Sequence, residues 1–588
     1  MSINRYPHDR ANRRFVTRRH FGFTQLAKFG FLFLAVCFLS FQAHGQEGWE
    51  KEGAGEIKDV QYEIIVNKKI TLPRAARNFE KVPPRPFEPI KPAITYESKN
   101  FRFVTPDYKP VIRPLKLKQE ELSKVYGNYL SGGFGNYASF FLEGSLTTKR
   151  DKNKFFGAHA YSRTFGKGPV AEKNSAASTL QVQLFGKSMG KDITVSGDAN
   201  FESRGTYFYG YNPVVEVDRN KIRQLYSLYS LNAGIENTKV NDFNYSLKGG
   251  FSYLRDHYNA SESEVSMLFN SNYKINETNK FLINADYFLI TRKDSLFNGT
   301  PRHLLRIKPS YQFTPIENLL VTAGLNVALQ NDQYAGSKDI HVYPNVNAQY
   351  SLSPSMELYG IVTGDIDKVN LHTLSTENLW INSNIPIYHT NRALEFRGGL
   401  IGKIGRKIAV GAGFSLAALK NYYYYLNVRD NVNPAGSSVG TPVDKFDVVY
   451  DRDTKRLNPF AEISFAQAET LNIALRGDYF TYGTAVLPEA WHRPTYRVSV
   501  TSRLNLYDKI SLEAGFLAQG GVKALDPVSN LTVSLDPAFD LSVKARYFLS
   551  KQFSAFVQMN NILSNKYPLY LSYPARGFQV LGGVSWSF

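Results

Sequence analysis

The chain has 588 residues, a net charge of +19, 43% hydrophobic and 14% aromatic residues and one cysteine, with a mean hydropathy of −0.31. A single thiol, Cys37, excludes a disulfide framework and a cysteine-based metal site. No apolar run is long enough for a spanning helix, which leaves soluble domains or one large barrel whose strands turn only every second residue to lipid.

Residues 1–45 read as a secretory leader. Arg5, Arg10, Arg13, Arg14, Arg18, Arg19 and Lys28 precede an apolar core from Phe29 to Phe41, and Ala43-His44-Gly45 offers small residues for cleavage before Gln46. Losing seven basic residues and one acid lowers the charge by six, to +13. Basic groups near lipid phosphates or in a lumen account for that charge, and an exported chain does not call for nucleic acid as a partner.

Residues 46–124 form a second segment, with nine of the 27 prolines between Pro73 and Pro114. This spacing forbids sheet ladders and favours extended polyproline II, roughly 3.1 Å per residue. The segment reads equally as a disordered tether or as a periplasmic docking arm. Residues 115–124 resemble a short polar helix at a barrel mouth.

From Val125 to Phe588 a two-residue alternation dominates. In Asp192–Phe201 the apolar face holds Ile193, Val195, Ala199 and Phe201. Thr470–Tyr479, Thr495–Leu506 and Phe539–Leu549 repeat the pattern. Connections alternate between short ones (Gly405-Arg406, Tyr507-Asp508-Lys509, Ser550-Lys551) and long ones (Arg204–Arg223, Asp367–Arg392, Lys420–Arg456, Gln519–Pro537). Short periplasmic turns and long outer loops characterise outer-membrane barrels. The fold expected is all-β: a transmembrane antiparallel barrel of about 22 strands, an even number, with the first strand near Val125–Phe134. In the last strand Phe578, Val580, Val584, Trp586 and Phe588 share the lipid face and close the barrel.

Lys248, Arg476, Asp478, Arg497, Arg503, Glu513, Asp540, Lys544 and Arg546 fall on the opposite, lumen face. Such a lining sets ion preference in an open pore or pairs with a segment that fills it. His257, His303, His341, His372, His389 and His492 sit in separate loops near the outer end and read as solvated, not as a ligand cluster. Asp365, Asp367, Asp451 and Asp453 lack the spacing of a calcium loop and read as solvated charge. Tyr422 to Tyr425 read as interface anchors, with stacking on a sugar or protein as the alternative. No catalytic constellation or cofactor motif stands out, so no enzyme is expected.

Phe556-Val557-Gln558-Met559-Asn560-Asn561-Ile562-Leu563, then Tyr573-Pro574-Ala575-Arg576-Gly577, then Gly582-Gly583-Val584-Ser585-Trp586-Ser587-Phe588 resemble the end of TonB-dependent receptor barrels of the type common in Bacteroidetes. Gly132-Gly133-Phe134-Gly135-Asn136-Tyr137 is similar to the first hairpin of a plugless subgroup. In that family the Asn-Asn corner caps the penultimate strand, and the Tyr-Pro segment opens the last. About 80 residues between Gln46 and Val125 are too few and too proline-rich for the family's plug; Tyr62–Val66 is a short β run that could imitate a TonB-binding strand. The resemblance implies residence in the outer membrane of a Gram-negative-type bacterium, contact with its lipid, and assembly by the barrel-assembly machinery through the C-terminal strand. Two functions follow. One is a transport barrel closed by its N-terminal segment or by a periplasmic or outer-membrane partner bound through 46–124. The other is a non-conducting accessory or structural subunit of an outer-membrane secretion or assembly complex.

Overall fold

The computed structural model describes residues 126–148, 151, 153–295, 299–334, 336–432 and 441–588. The leader and the proline-rich segment therefore lie outside the described residues.

Period-two sequence becomes strand after strand. The first eight are β1 (Tyr129–Gly135), β2 (Ser139–Thr147), β3 (Lys154–Phe165), β4 (Ala177–Met189), β5 (Ile193–Tyr207), β6 (Arg223–Asn237), β7 (Phe243–Arg255) and β8 (Ser261–Lys274). Then come β9 (Lys280–Lys293), β10 (Arg302–Ile316), β11 (Leu319–Gln330), β12 (Ile340–Ser353), β13 (Met356–Asp367), β14 (Thr390–Ile404), β15 (Ile408–Val432) and β16 (Thr441–Gln467). The last six are β17 (Leu471–Tyr479, continued by Thr481–Gly483), β18 (Tyr496–Leu506), β19 (Ile510–Gly520), β20 (Ala538–Phe548), β21 (Phe553–Asn560) and β22 (Gln579–Ser587). Each pairs antiparallel with its chain neighbours, and β1 pairs with β22 from Tyr129↔Ser587 to Gly135↔Leu581. The result is a closed barrel of 22 strands, with no free edge in the ring.

Both ends of the ring meet at the short-turn side, where Phe588 N–H donates to Asn128 O at 3.0 Å. Turns there are brief, such as 317–318, 354–355 and 405–407. The other end carries the long connections 208–222, 368–389, 484–495, 521–537 and 561–578, and is the outer one by the rule for these barrels.

One expected loop is corrected. Residues 420–456 are mostly strand, because β15 and β16 stay in register from Ile408↔Phe465 to Val432↔Thr441 and rise as a tall hairpin above the outer rim.

Facing follows the alternation. Val584 is 64% exposed on the outside, whereas Leu581 is 2% exposed and packs inside with Phe141 and Phe556. The seam needs glycine: a Cβ on Gly583 would stand 2.3 Å from Gly132 O and 2.5 Å from Phe556 Cζ. Leu130, Leu142, Leu184, Leu231 and Phe396 extend the exposed apolar band around the ring.

Val584→Arg puts an unpaired charge in that band and should cost ~2–4 kcal/mol. Ser585→Arg, on the inner face, should cost much less. The fraction of heat-modifiable folded barrel in outer membranes reads the difference. Equal yields for the two variants would reverse the facing.

Candidate functional site at the outer mouth and inner wall

The connection between β13 and β14 does not project outward. Val369, Leu371, Leu374, Trp380, Ile381, Ile385 and Ile387 give it an apolar content that water does not favour, and all of them are buried. A short helix, α1 (Leu371–Glu377), opens it, with the Asn370 side chain accepting from Thr373 N–H at 2.8 Å.

This one segment touches staves from β5 to β15. Arg204 on β5 donates to Ser375 O at 3.1 Å. On β8, Glu264 pairs with Lys368 at 2.5 Å and Glu262 accepts from Leu371 N–H at 2.8 Å. Arg292 on β9 donates to Ser383 O at 2.6 Å and also to Ile385 O. Arg302 on β10 reaches Val369 O at 3.2 Å. Across the ring, Tyr423 on β15 donates to Glu377 at 2.6 Å and Tyr570 donates to Glu377 O at 3.0 Å. Only a segment lying across the mouth meets β5, β8, β9, β10 and β15 at once.

Its apolar side completes a core shared with neighbouring loops. Trp380 packs on Tyr573 with centroids 4.5 Å apart, and Tyr573 on Tyr209 at 4.8 Å. Phe208, Ile222, Tyr425, Val443 and Phe446 fill the same cluster. The tall hairpin joins through backbone: Asp444 N–H donates to Gly210 O at 2.7 Å and Asn382 N–H to Phe446 O at 2.8 Å. Burying each large side chain here contributes about 1.5–3 kcal/mol, so the cap is a packed lid.

Several sequence expectations are corrected by this lid. Tyr422 to Tyr425 do not anchor at the lipid interface; their rings surround the Arg493 guanidinium at 5.0–6.0 Å, and Arg493 also pairs with Glu377. Asp451 is buried and accepts from the backbone N–H groups of Ala485, Val486 and Leu487. Asp365 is buried and pairs with Lys308 at 2.5 Å. His389 is not solvated: Val369 N–H and the Arg302 guanidinium donate to its Nδ1 at 3.1 and 2.9 Å. Burial, helped by Arg302, pushes its imidazole down to about 3. Burial, helped by Arg493, does the same to His492, also to about 3. Among the described residues no group of three or more His, Cys, Asp or Glu side chains is placed to hold a metal ion.

The inner-wall candidates are distributed below. Arg476 pairs with Glu462 and Asp478, each at 2.9 Å. Arg503 pairs with Glu513 at 3.3 Å, and Arg497 donates to Gln519 at 2.7 Å. Asp540 accepts from Tyr567 at 3.0 Å. Lys544 stands over the Phe556 ring at 5.4 Å, Arg546 lies opposite Phe556 in register, and Lys248 lies opposite Gly234. A recess of about 780 Å³ in this wall is lined by Asn472, Arg503, Glu513, Lys544, Gln558 and Asn560 among others. Phe578, Val584, Trp586 and Phe588 are exposed on the outer face and Val580 is half-buried there. The loop 368–389 and its wall partners Arg204, Glu262, Arg292 and Arg302 were not among the candidates read from sequence. Four clustered apolar residues from Trp380 to Ile387 in a predicted loop were the available sign.

No protein-family model and no curated protein matches this sequence. Solved structures do. The FrpB iron transporter from Neisseria meningitidis (F3-3 variant) superposes with a TM-score of 0.62 and 10% identity over 79% of this chain and 82% of that one. The siderophore receptor PirA from Acinetobacter baumannii gives 0.60 and 9%, over 78% and 80%. A mutant of the ferric enterobactin receptor PfeA from Pseudomonas aeruginosa gives 0.57 and 10%, over 78% and 80%. The shared property is the fold, that of an outer-membrane β-barrel.

Acid should loosen the lid. His389 and His492 are neutral when folded and regain their ordinary value near 6.5 when the lid opens, so their contribution is full above that value and falls as pH drops through it toward 3. Asp256, raised by burial, works in the opposite direction. Limited proteolysis between pH ~8 and ~5 should show earlier cleavage in 368–389 at the acid end. Replacing both histidines by Gln should flatten that dependence; an unchanged profile would remove them as its source.

Proposed function

We propose that this chain is a receptor-like transport barrel of the outer membrane whose outer mouth is held shut by its own loop 368–389. The observation that carries the reading is that loop, stretched across the lumen and bonded to β5, β8, β9, β10 and β15. The likeness of fold to an iron transporter and to siderophore receptors supports it. A barrel of 22 strands encloses a lumen too wide for wall side chains to fill, so something must close it. The periplasmic side is assigned, in this reading, to residues 46–124 or to a partner bound through them. Their proline content and reach support a threading or docking role. Assembly is assigned to recognition of the C-terminal strand.

A second reading has its own observation. The lid buries a packed apolar cluster that includes Trp380, Tyr425, Phe446 and Tyr573. A cap built like a soluble core also suits a non-conducting subunit of an outer-membrane complex, which needs closure and never opening.

Replacing residues 371–387 by a short Gly-Ser linker, with and without deletion of Glu47–Pro114, separates these. Large stable conductance in planar bilayers and vancomycin sensitivity in cells from the loop variant alone make the loop the sole seal. A requirement for both deletions gives each end its own closure. A folded barrel that stays silent in both forms, and that purifies with a stoichiometric partner, overturns the transport reading.

A further inference from the structure

Most arginines on the inner wall are balanced by acid. Arg204 pairs with Glu202, Arg302 with Asp332, Arg306 with Asp286, Arg392 with Glu395, Arg476 with Asp478 and Arg503 with Glu513. Lys248 and Arg497 stand singly without an ion pair among the described residues, whereas Arg163, Lys544, Arg546 and Arg576, which form none either, gather at the strand seam.

The ladder explains how they come together. Arg163 lies opposite Phe141, Phe141 opposite Gly133, Gly133 opposite Gly583, Gly583 opposite Phe556 and Phe556 opposite Arg546. Directly opposed residues share a face, so this row runs along the inner wall of β3, β2, β1, β22, β21 and β20. The two glycines leave its centre without side chains. The Phe141 and Phe556 rings meet edge to face above them, with centroids 6.0 Å apart. Lys544 covers Phe556 from one side at 5.4 Å. At the outer end the Phe165 ring is shared by Arg163 at 5.0 Å and Arg576 at 4.2 Å. Arg163 is within electrostatic reach of both Lys544 and Arg576.

These cations are not satisfied by their surroundings. The Nε atoms of Arg163, Arg546 and Arg576 are shielded from solvent and have no hydrogen-bond acceptor. The Arg576 guanidinium has one weak acceptor, Ser175 O at 3.4 Å. The flanking carboxylates are engaged elsewhere. Glu513 lies opposite Lys544 but bonds Arg503, and Glu143 accepts from Tyr129 at 2.7 Å and meets His159 at 3.4 Å. Cation–π contacts hold the side chains in place without cancelling their charge. Unpaired guanidiniums recognise a planar anion, whose carboxylates dock on the N–H forks.

We infer that the inner wall at the seam is a binding site for a small soluble polycarboxylate whose planar carboxylates meet several of these cations at once. Arg163, Lys544, Arg546 and Arg576 take the charge, while the buried Phe141 and Phe556 rings and the Phe165 ring hold those cations in position. The inference concerns binding and stands whether or not the barrel transports, so its failure leaves the loop-deletion result untouched.

The test is calorimetric titration of the full purified chain, in a non-ionic detergent at low salt, with trimesate, its neutral triamide and inorganic phosphate. Saturable trimesate binding is expected, tighter than phosphate, weakened by added salt and absent for the triamide. The double variant Arg163→Gln/Arg546→Gln should lose at least about ten-fold in affinity, or about 1.4 kcal/mol. Heat-modifiable migration verifies folding. Should the double variant fail to fold, Lys544→Gln, which removes one half-exposed cation, carries the same expectation in smaller degree. Arg476→Gln, on the paired part of the wall, should leave affinity unchanged. No saturable trimesate binding, equal binding of the triamide, or equal losses in Arg476→Gln and the seam variants would overturn the site. Phosphate binding as tight as trimesate would overturn the assignment to a planar carboxylate ligand.

Discussion

Everything in this structure depends on backbone hydrogen bonds that cannot be made with lipid. An unpaired amide in hydrocarbon costs several kcal/mol, so the sheet must close, and closure happens at one seam, β1 against β22. There Asn136 N–H donates to Val580 O at 3.0 Å and Phe588 N–H to Asn128 O at 3.0 Å. The glycines at this join follow from the same demand. A Cβ on Gly135 would lie 2.1 Å from Val580 O, and one on Gly133 2.6 Å from Gly582 O, so at these two positions the join has no room for a side chain.

Closing the ring creates the second problem, a lumen wide enough to breach the membrane. The chain answers at the outer end with arginine. Arg292, Arg302 and Arg306 each bond a carboxylate, on β9 or just past the outer ends of β9 and β11, and a carbonyl of the chain between Ile366 and Ile385. A planar fork with several donors can hold both partners at once, which a lysine does poorly. Buried ion pairs add little net stability because desolvation offsets their attraction. Their contribution is to location: they fix where the loop lies, and Trp380, Phe446 and Tyr573 supply the favourable burial.

The strands were legible in the sequence because lipid and water impose opposite demands on alternate residues. Ile193, Val195 and Leu504 declare their faces without reference to anything distant. The alternation fades where both faces meet protein, as it does in fully buried strands. That is why Tyr422 to Tyr425 and Val443 to Val448 gave no strand signal, although the hairpin β15–β16 runs through them. The lid itself was hidden for another reason. Asp451 is held by amides 34 to 36 residues away and Arg292 by carbonyls 91 and 93 residues away. Local composition carries no trace of such pairings. Among the wall candidates, Arg476 and Asp478 were readable as neighbours because two-residue spacing puts them side by side. The unpaired state of Arg546 was not, since it depends on which five strands lie beside it.

The distribution of charge around the ring then separates two tasks on one wall. From β8 to β14, acids and bases cancel, and what they hold is the chain's own loop. At the seam, from β20 through β22 to β3, the cations have rings beside them and form no ion pair among the described residues, the nearby Glu143 and Glu513 being bonded to other groups. Desolvating a guanidinium without a counter-charge is costly. A wall whose only task is to stand has no use for that cost, and the paired part of this same barrel shows that the fold can avoid it. Charge left unbalanced where a solute would pass is therefore more consistent with a surface that meets an anion from outside the chain than with one that only seals. It also weighs the transport reading above the structural one on grounds independent of the lid.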